Sequence, residues 1–229
     1  MVTMEKTEFI TKVKNILNDF DLTNVLAIYL SGSYSLGFIK NCDDIDIHCF
    51  TKNAMDRKDR QDLVNSIRAK LKEEFDFSVS FIWHFEDEYT GANAVRLSKD
   101  LKDRKTQKLA LRTYAYEFNP KFRTILYGSA EDYLGGFDIL GKDKEDYLAN
   151  LKYDTTSESF LHQMERNANG RTKRLYHILC GIYMIENNSY ELTEEQIKNV
   201  NIAHDKTDGW EELYEWAKNE LEKLTDEKN

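Results

Sequence analysis

The chain has 229 residues, a net charge of −9, and 41% hydrophobic against 32% charged residues. That length suits one large domain or two small ones with a substantial core, and the composition excludes a disordered chain. The acidic balance argues against broad, non-specific nucleic-acid binding, and no apolar run reaches membrane-spanning length.

No signal-peptide core opens the chain. Cys42, Cys49 and Cys180 are odd in number and lack metal-like spacing, so free thiols in a reducing cytoplasm are expected. A single proline and ten glycines point to a helix-rich protein without long flexible linkers.

Residues 4–20 read as an amphipathic helix, with Phe9, Ile10, Val13, Ile16, Leu17 and Phe20 at helical spacing. A turn at 21–24 leads into the apolar run 25–30, long enough for a buried strand. The run breaks at Ser31, Gly32 and Ser33, small residues where a backbone can approach a ligand. A second strand is expected over 44–50. Its alternation puts Asp44, Asp46 and His48 on one face and Ile45, Ile47 and Cys49 on the other.

Two carboxylates two residues apart on a strand repel each other unless a cation lies between them. Hard oxygen ligands suit Mg2+ or Mn2+, which are usually held by one or two carboxylates plus substrate phosphates. The Gly32–Ser33 turn offers backbone N–H groups and a hydroxyl to those phosphates. The competing reading is a surface hairpin with two solvated aspartates.

Farther on, Leu63, Val64, Ile67, Leu71 and Phe75 mark the apolar face of a charged helix over 56–74. Strict alternation over 75–81 predicts a half-buried strand, with Asp76, Ser78 and Ser80 on its polar face. A helix is expected over 98–118, and a loop-rich connection over 121–145 whose aromatics Phe122, Tyr127, Tyr133 and Phe137 pack it down or stack a base. A long helix over 156–187, broken or not at Gly170, carries the basic, acid-free stretch 166–174. His162 and His177 read as structural histidines. Thr193 and Gln196 have capping-box spacing, and a last helix opens at Trp210.

The run Gly32-Ser33, ten intervening residues, then Asp44-Ile45-Asp46-Ile47 resembles the signature of the nucleotidyltransferase superfamily that includes DNA polymerase beta. The resemblance covers roughly the first 90 residues. It implies an α/β (α+β) nucleotidyltransferase fold with a small mixed sheet over 1–95, followed by an all-helical C-terminal domain over 96–229. The general layout also loosely resembles the RNA-repair-associated nucleotidyltransferases of bacteria and phages.

The implied activity moves a nucleoside monophosphate from a nucleoside triphosphate, ATP among them, to an acceptor hydroxyl and releases pyrophosphate. Asp44 and Asp46 would hold Mg2+ or Mn2+, and Gly32 and Ser33 would anchor the triphosphate. The superfamily usually adds a third carboxylate as general base. Asp76 is the candidate by position, with a plain strand-entry residue as the other reading, and Glu86 is a weaker choice. Lys173, then Arg171 or Arg174, would meet the triphosphate, unless that stretch is only a solvated helix face. The acceptor is left open among RNA, a protein hydroxyl and a small molecule such as an aminoglycoside; no membrane partner is expected. Two rivals stand beside this reading: a catalytically silent nucleotide- or partner-binding module of the same fold, and an interaction protein with no nucleotide site.

Overall fold

The computed structural model describes residues 4–38, 41–52, 55–85, 124–129, 138–156 and 173–226. The chain forms two compact units: Met1–Asp103 with Pro120–Gly136, and Arg104–Asn119 with Phe137–Asn229. The first unit therefore draws on two stretches of the chain, the later one lying beyond the boundary expected at residue 95.

The first unit is built on a four-stranded sheet of order β3-β2-β1-β4. Its strands are β1 (Val25–Ser31), β2 (Asp44–Thr51), β3 (Ser78–Phe85) and β4 (Thr124–Gly128). β1 pairs antiparallel with both β2 and β4, whereas β2 and β3 are parallel, so the sheet is mixed. Parallel neighbours need a crossover rather than a hairpin. The helix α3 (Arg57–Glu74) supplies it, after α1 (Lys6–Leu17) and the short α2 (Gly32–Leu36).

Alternation along the strands sorts the sheet into two faces. Ile28, Leu30, Ile45, Ile47, Cys49 and Phe81 share one face and are almost wholly buried. The apolar stripes of the helices, Phe9, Val13 and Leu17 on α1 and Val64, Ile67 and Leu71 on α3, complete this core. α3 starts where the Asp56 carboxylate accepts from the N–H groups of Lys58 and Asp59.

β3 begins at Ser78, three residues later than the alternation predicts. The reason is Phe75, whose N–H still donates to Leu71 O and closes α3. Its ring stays in the core against Phe9, with centroids 4.9 Å apart, and stacks on Phe77 at 5.2 Å. An apolar residue at a helix end thus mimics the first position of a strand.

β4 lies inside the stretch expected to be a loop-rich connection. Of the aromatics named there, Tyr127 belongs to β4 and donates from its hydroxyl to Leu22 O at 3.3 Å. Phe122, Tyr133 and Phe137 lie outside the described residues, as does the helix expected over 98–118.

The second unit is helical among its described residues: α4 (Lys144–Thr156), α5 (Lys173–Asn187), α6 (Glu194–Asp205) and α7 (Trp210–Asp226). α4 was not anticipated, and α5 is the described end of the long helix expected over 156–187; the stretch 157–172 lies outside the described residues. α5 is buried on most of its circumference from Leu175 to Ile185, which makes it the centre of the unit. At Gly181 an added Cβ would lie 2.6 Å from the Tyr147 hydroxyl and 2.7 Å from Leu151 Cδ1, so α4 crosses α5 at close range. The capping box at the start of α6 is formed, with Thr193 Oγ1 accepting from Gln196 N–H and Gln196 Oε1 accepting from Thr193 N–H. No helix among the described residues is long and apolar enough to cross a membrane.

Candidate active site

β1 ends at Ser31, and the chain bends at Gly32, whose φ of 69° lies in the left-handed region open to glycine. α2 makes little more than one turn from there, with Ser35 Oγ donating to Gly32 O at 2.9 Å, and stops at Gly37. The antiparallel register then sets Ser31 opposite Asp46 and Tyr29 opposite His48. The bend and the aspartates, fourteen positions apart at Gly32 and Asp46, are thereby brought together. A Cβ on Gly32 would fall 2.5 Å from Asp46 Oδ2, so this carboxylate rests directly against the bend.

Asp44 and Asp46 are half-buried on the same face of β2, while Ile45 and Ile47 between and beyond them are fully buried. Ser33 follows the bend, and its hydroxyl has a long contact of 3.5 Å to Cys42 Sγ. A thiol is a weak acceptor, so this hydroxyl can exchange Cys42 for a phosphate oxygen at little cost.

α1 braces the bend from below. Lys6 Nζ donates to Ser35 O, and the Tyr34 hydroxyl donates to Met4 O at 2.8 Å. The Tyr34 ring also packs edge-on against Phe9, at 5.5 Å between centroids. Burial pushes the Tyr34 hydroxyl up to about 12 and lowers Lys6 from its usual range. Farther down the same face of the sheet, His48 stacks on Tyr29 at 5.1 Å, and both are buried.

The third carboxylate expected at Asp76 lies outside the β2–β3 ladder, which begins at Ser78. Asp76 is exposed and stands two residues before β3 begins. The β3 residues that share rows with Asp44 and Asp46 are Ser78 and Ser80. Glu86 lies outside the described residues. Of the basic candidates, Lys173 and Arg174 open α5 in the second unit, and Arg171 lies outside the described residues. Their approach to a triphosphate stays an expectation from the sequence. Reading the sequence missed Lys6 and Tyr34, which look like ordinary positions at a helix end and in a turn. It also took Ser31 only as a small turn residue.

Among the described residues no group of three His, Cys, Asp or Glu side chains is placed to hold a metal ion. The donor set nevertheless fits Mg2+ or Mn2+ arriving with a nucleotide. Two carboxylates share one face, a bend without a Cβ leaves room for one of them, and phosphate and water oxygens supply the remaining ligands these ions take.

A mixed sheet in this order, with paired aspartates on β2 facing a glycine bend after β1, is a nucleotidyltransferase-like fold. The same fold is found in a spectinomycin adenyltransferase from Enterococcus faecialis, solved with ATP and spectinomycin. It matches 94% of this chain and 99% of its own at a TM-score of 0.51 and 13% identity, which speaks to fold alone. A toxin–antitoxin structure with AMP-PNP matches 69% of this chain and 93% of its own at 20% identity; its TM-score of 0.29 is too low to carry weight. No family model matches the chain, and neither does any curated protein.

Proposed function

We propose that the chain is a metal-dependent nucleotidyltransferase, moving a nucleoside monophosphate from a nucleoside triphosphate to an acceptor hydroxyl with release of pyrophosphate. The observation that carries this reading is the seating of the Asp46 carboxylate against the Gly32 bend. It joins a cation-binding pair to a backbone turn suited to phosphate.

In this reading Asp44 and Asp46 hold Mg2+ or Mn2+. When bound, such ions offset phosphate charge and make the acceptor hydroxyl easier to deprotonate. Gly32 lets the triphosphate approach the backbone, and the Ser33 hydroxyl turns from Cys42 to a phosphate oxygen. The acceptor oxygen forms a bond to the α-phosphorus while the bond from that phosphorus to the bridging oxygen breaks. Pyrophosphate leaves with the electron pair. The acceptor's proton passes to a general base or to water. The net charge of −9 disfavours a polyanionic acceptor and favours a small neutral or cationic one.

The test is pyrophosphate release from each of the four nucleoside triphosphates, with Mg2+ or Mn2+, against panels of small-molecule, protein and short RNA acceptors. Wild type is compared with Asp44→Asn and Asp46→Asn. Release that needs the metal and both aspartates supports the reading. Undiminished release in either variant would overturn it.

A further inference from the structure

Ser31 is a site residue that the signature motif does not claim. It is 2% exposed, and its Oγ has no hydrogen-bond partner among the described residues. Buried hydroxyls are nearly always paired, because a lone one has lost its hydration without replacement. Ser35, on the other side of the bend, shows the ordinary solution: it is equally buried, and its Oγ donates to Gly32 O.

Its location says what the hydroxyl is for. Ser31 faces Asp46 across the β1–β2 ladder, so both side chains leave the same face of the sheet as direct neighbours. The Asp46 carboxylate itself lies against Gly32, the next residue in the chain. An idle donor thus borders a carboxylate that is held to one side.

We propose that Ser31 is a positioning residue for Asp46. When a divalent cation and a triphosphate are bound, the carboxylate moves off Gly32, gives one oxygen to the cation and accepts the Ser31 O–H with the other. Metal-ligating carboxylates are commonly fixed in this way by an outer hydrogen bond. The inference rests on the nucleotidyltransferase reading for the identity of the ligand. The missing bond in the ligand-free protein is a stability deficit retained for the sake of the loaded state.

The experiment compares full-length wild type and Ser31→Ala by thermal denaturation. It uses EDTA alone, a non-hydrolysable ATP analogue with EDTA, and the analogue with titrated Mg2+. In EDTA the variant is expected to melt at or above the wild-type temperature, because an unpaired hydroxyl has gone. With analogue present, the Mg2+ concentration giving half of the thermal shift is expected to rise about tenfold. An unchanged Mg2+ midpoint overturns the proposal, whatever the EDTA result. A clear fall of the melting temperature in EDTA also overturns it, by showing that the hydroxyl already serves the unliganded fold. If wild type itself shows no Mg2+-dependent shift, the nucleotidyltransferase reading fails and takes this inference with it. A normal wild-type shift that is matched by the variant sinks the role of Ser31 alone.

Discussion

Replacing Gly32 by alanine separates the strain of the bend from the position of the carboxylate it cradles. Gly32 has φ 69°, and the new Cβ would lie 2.5 Å from Asp46 Oδ2, about 0.9 Å inside the 3.4 Å at which ordinary contact begins. Left-handed backbone costs a non-glycine residue about 1–2 kcal/mol, which lowers the melting temperature of a chain this size by about 2–8 °C. The carboxylate is the end of a flexible side chain, so it gives way rather than breaking the fold. A displacement near 1 Å at a reacting centre reduces turnover by about a hundredfold. Gly37→Ala is the matched control: its φ is 75°, but its added Cβ meets nothing nearer than Lys6 Cδ at 3.9 Å. Both variants should lose similar stability by calorimetry, and only Gly32→Ala should lose metal-dependent pyrophosphate release. Equal activity losses in the two, or full activity in Gly32→Ala, would refute the argument that Asp46 is placed by the bend.

Other expectations follow from single features. Asp76→Asn should leave turnover within about twofold of wild type in the pyrophosphate assay, since changes at exposed positions off the site are usually near neutral and Asp76 is exposed outside the ladder. Thr193→Ala should remove the capping box of α6 and cost about 1 kcal/mol by denaturant titration, with nucleotide binding unchanged. Burial pushes the Cys49 thiol up to about 12 from an ordinary 9.0, so the folded state keeps a proton that the unfolded state releases above pH 9. Stability should therefore fall as pH rises from 9.0 towards 12, the raised Tyr34 hydroxyl adding to the loss with the same sign above 10.0, and pH-dependent melts would show it. Cys49 and Cys180, both buried and with raised thiol values, should resist alkylation at pH 8 in the native protein and react on denaturation, as mass spectrometry can follow.

The strand, bend and strand around the aspartates were legible because each carries its own local signal. The 25–30 run is apolar throughout, the bend is three small residues, and β2 alternates without a break. The seating of Asp46 against Gly32 was legible only as a requirement, since register is set by pairing and not by either strand alone. β4 escaped notice for a physical reason. It is five residues long, its apolar content is Ile125, Leu126 and Tyr127, and it ends in a glycine, so nothing in its composition separates it from a loop. Pairing with β1 makes it a strand. α4 was hidden similarly: Tyr147, Leu148 and Leu151 bury an inner side, but acids and lysines interrupt any clear stripe. The start of β3 was misplaced because alternation continues through Phe75, which serves as the end of α3.

The late arrival of β4 has a practical consequence for anyone who wants to dissect this protein. The two units interleave along the chain, so no single cut yields both intact. A fragment ending at residue 95 would leave one side of β1 without its partner. There Ala27, Ile28, Tyr29 and Leu30, all paired to β4 in the whole chain, would expose their backbone groups on an apolar border. Such a border recruits other copies, and the fragment should precipitate rather than serve as a minimal catalytic piece. During synthesis the same border has no β4 to pair with until residue 128 has left the ribosome.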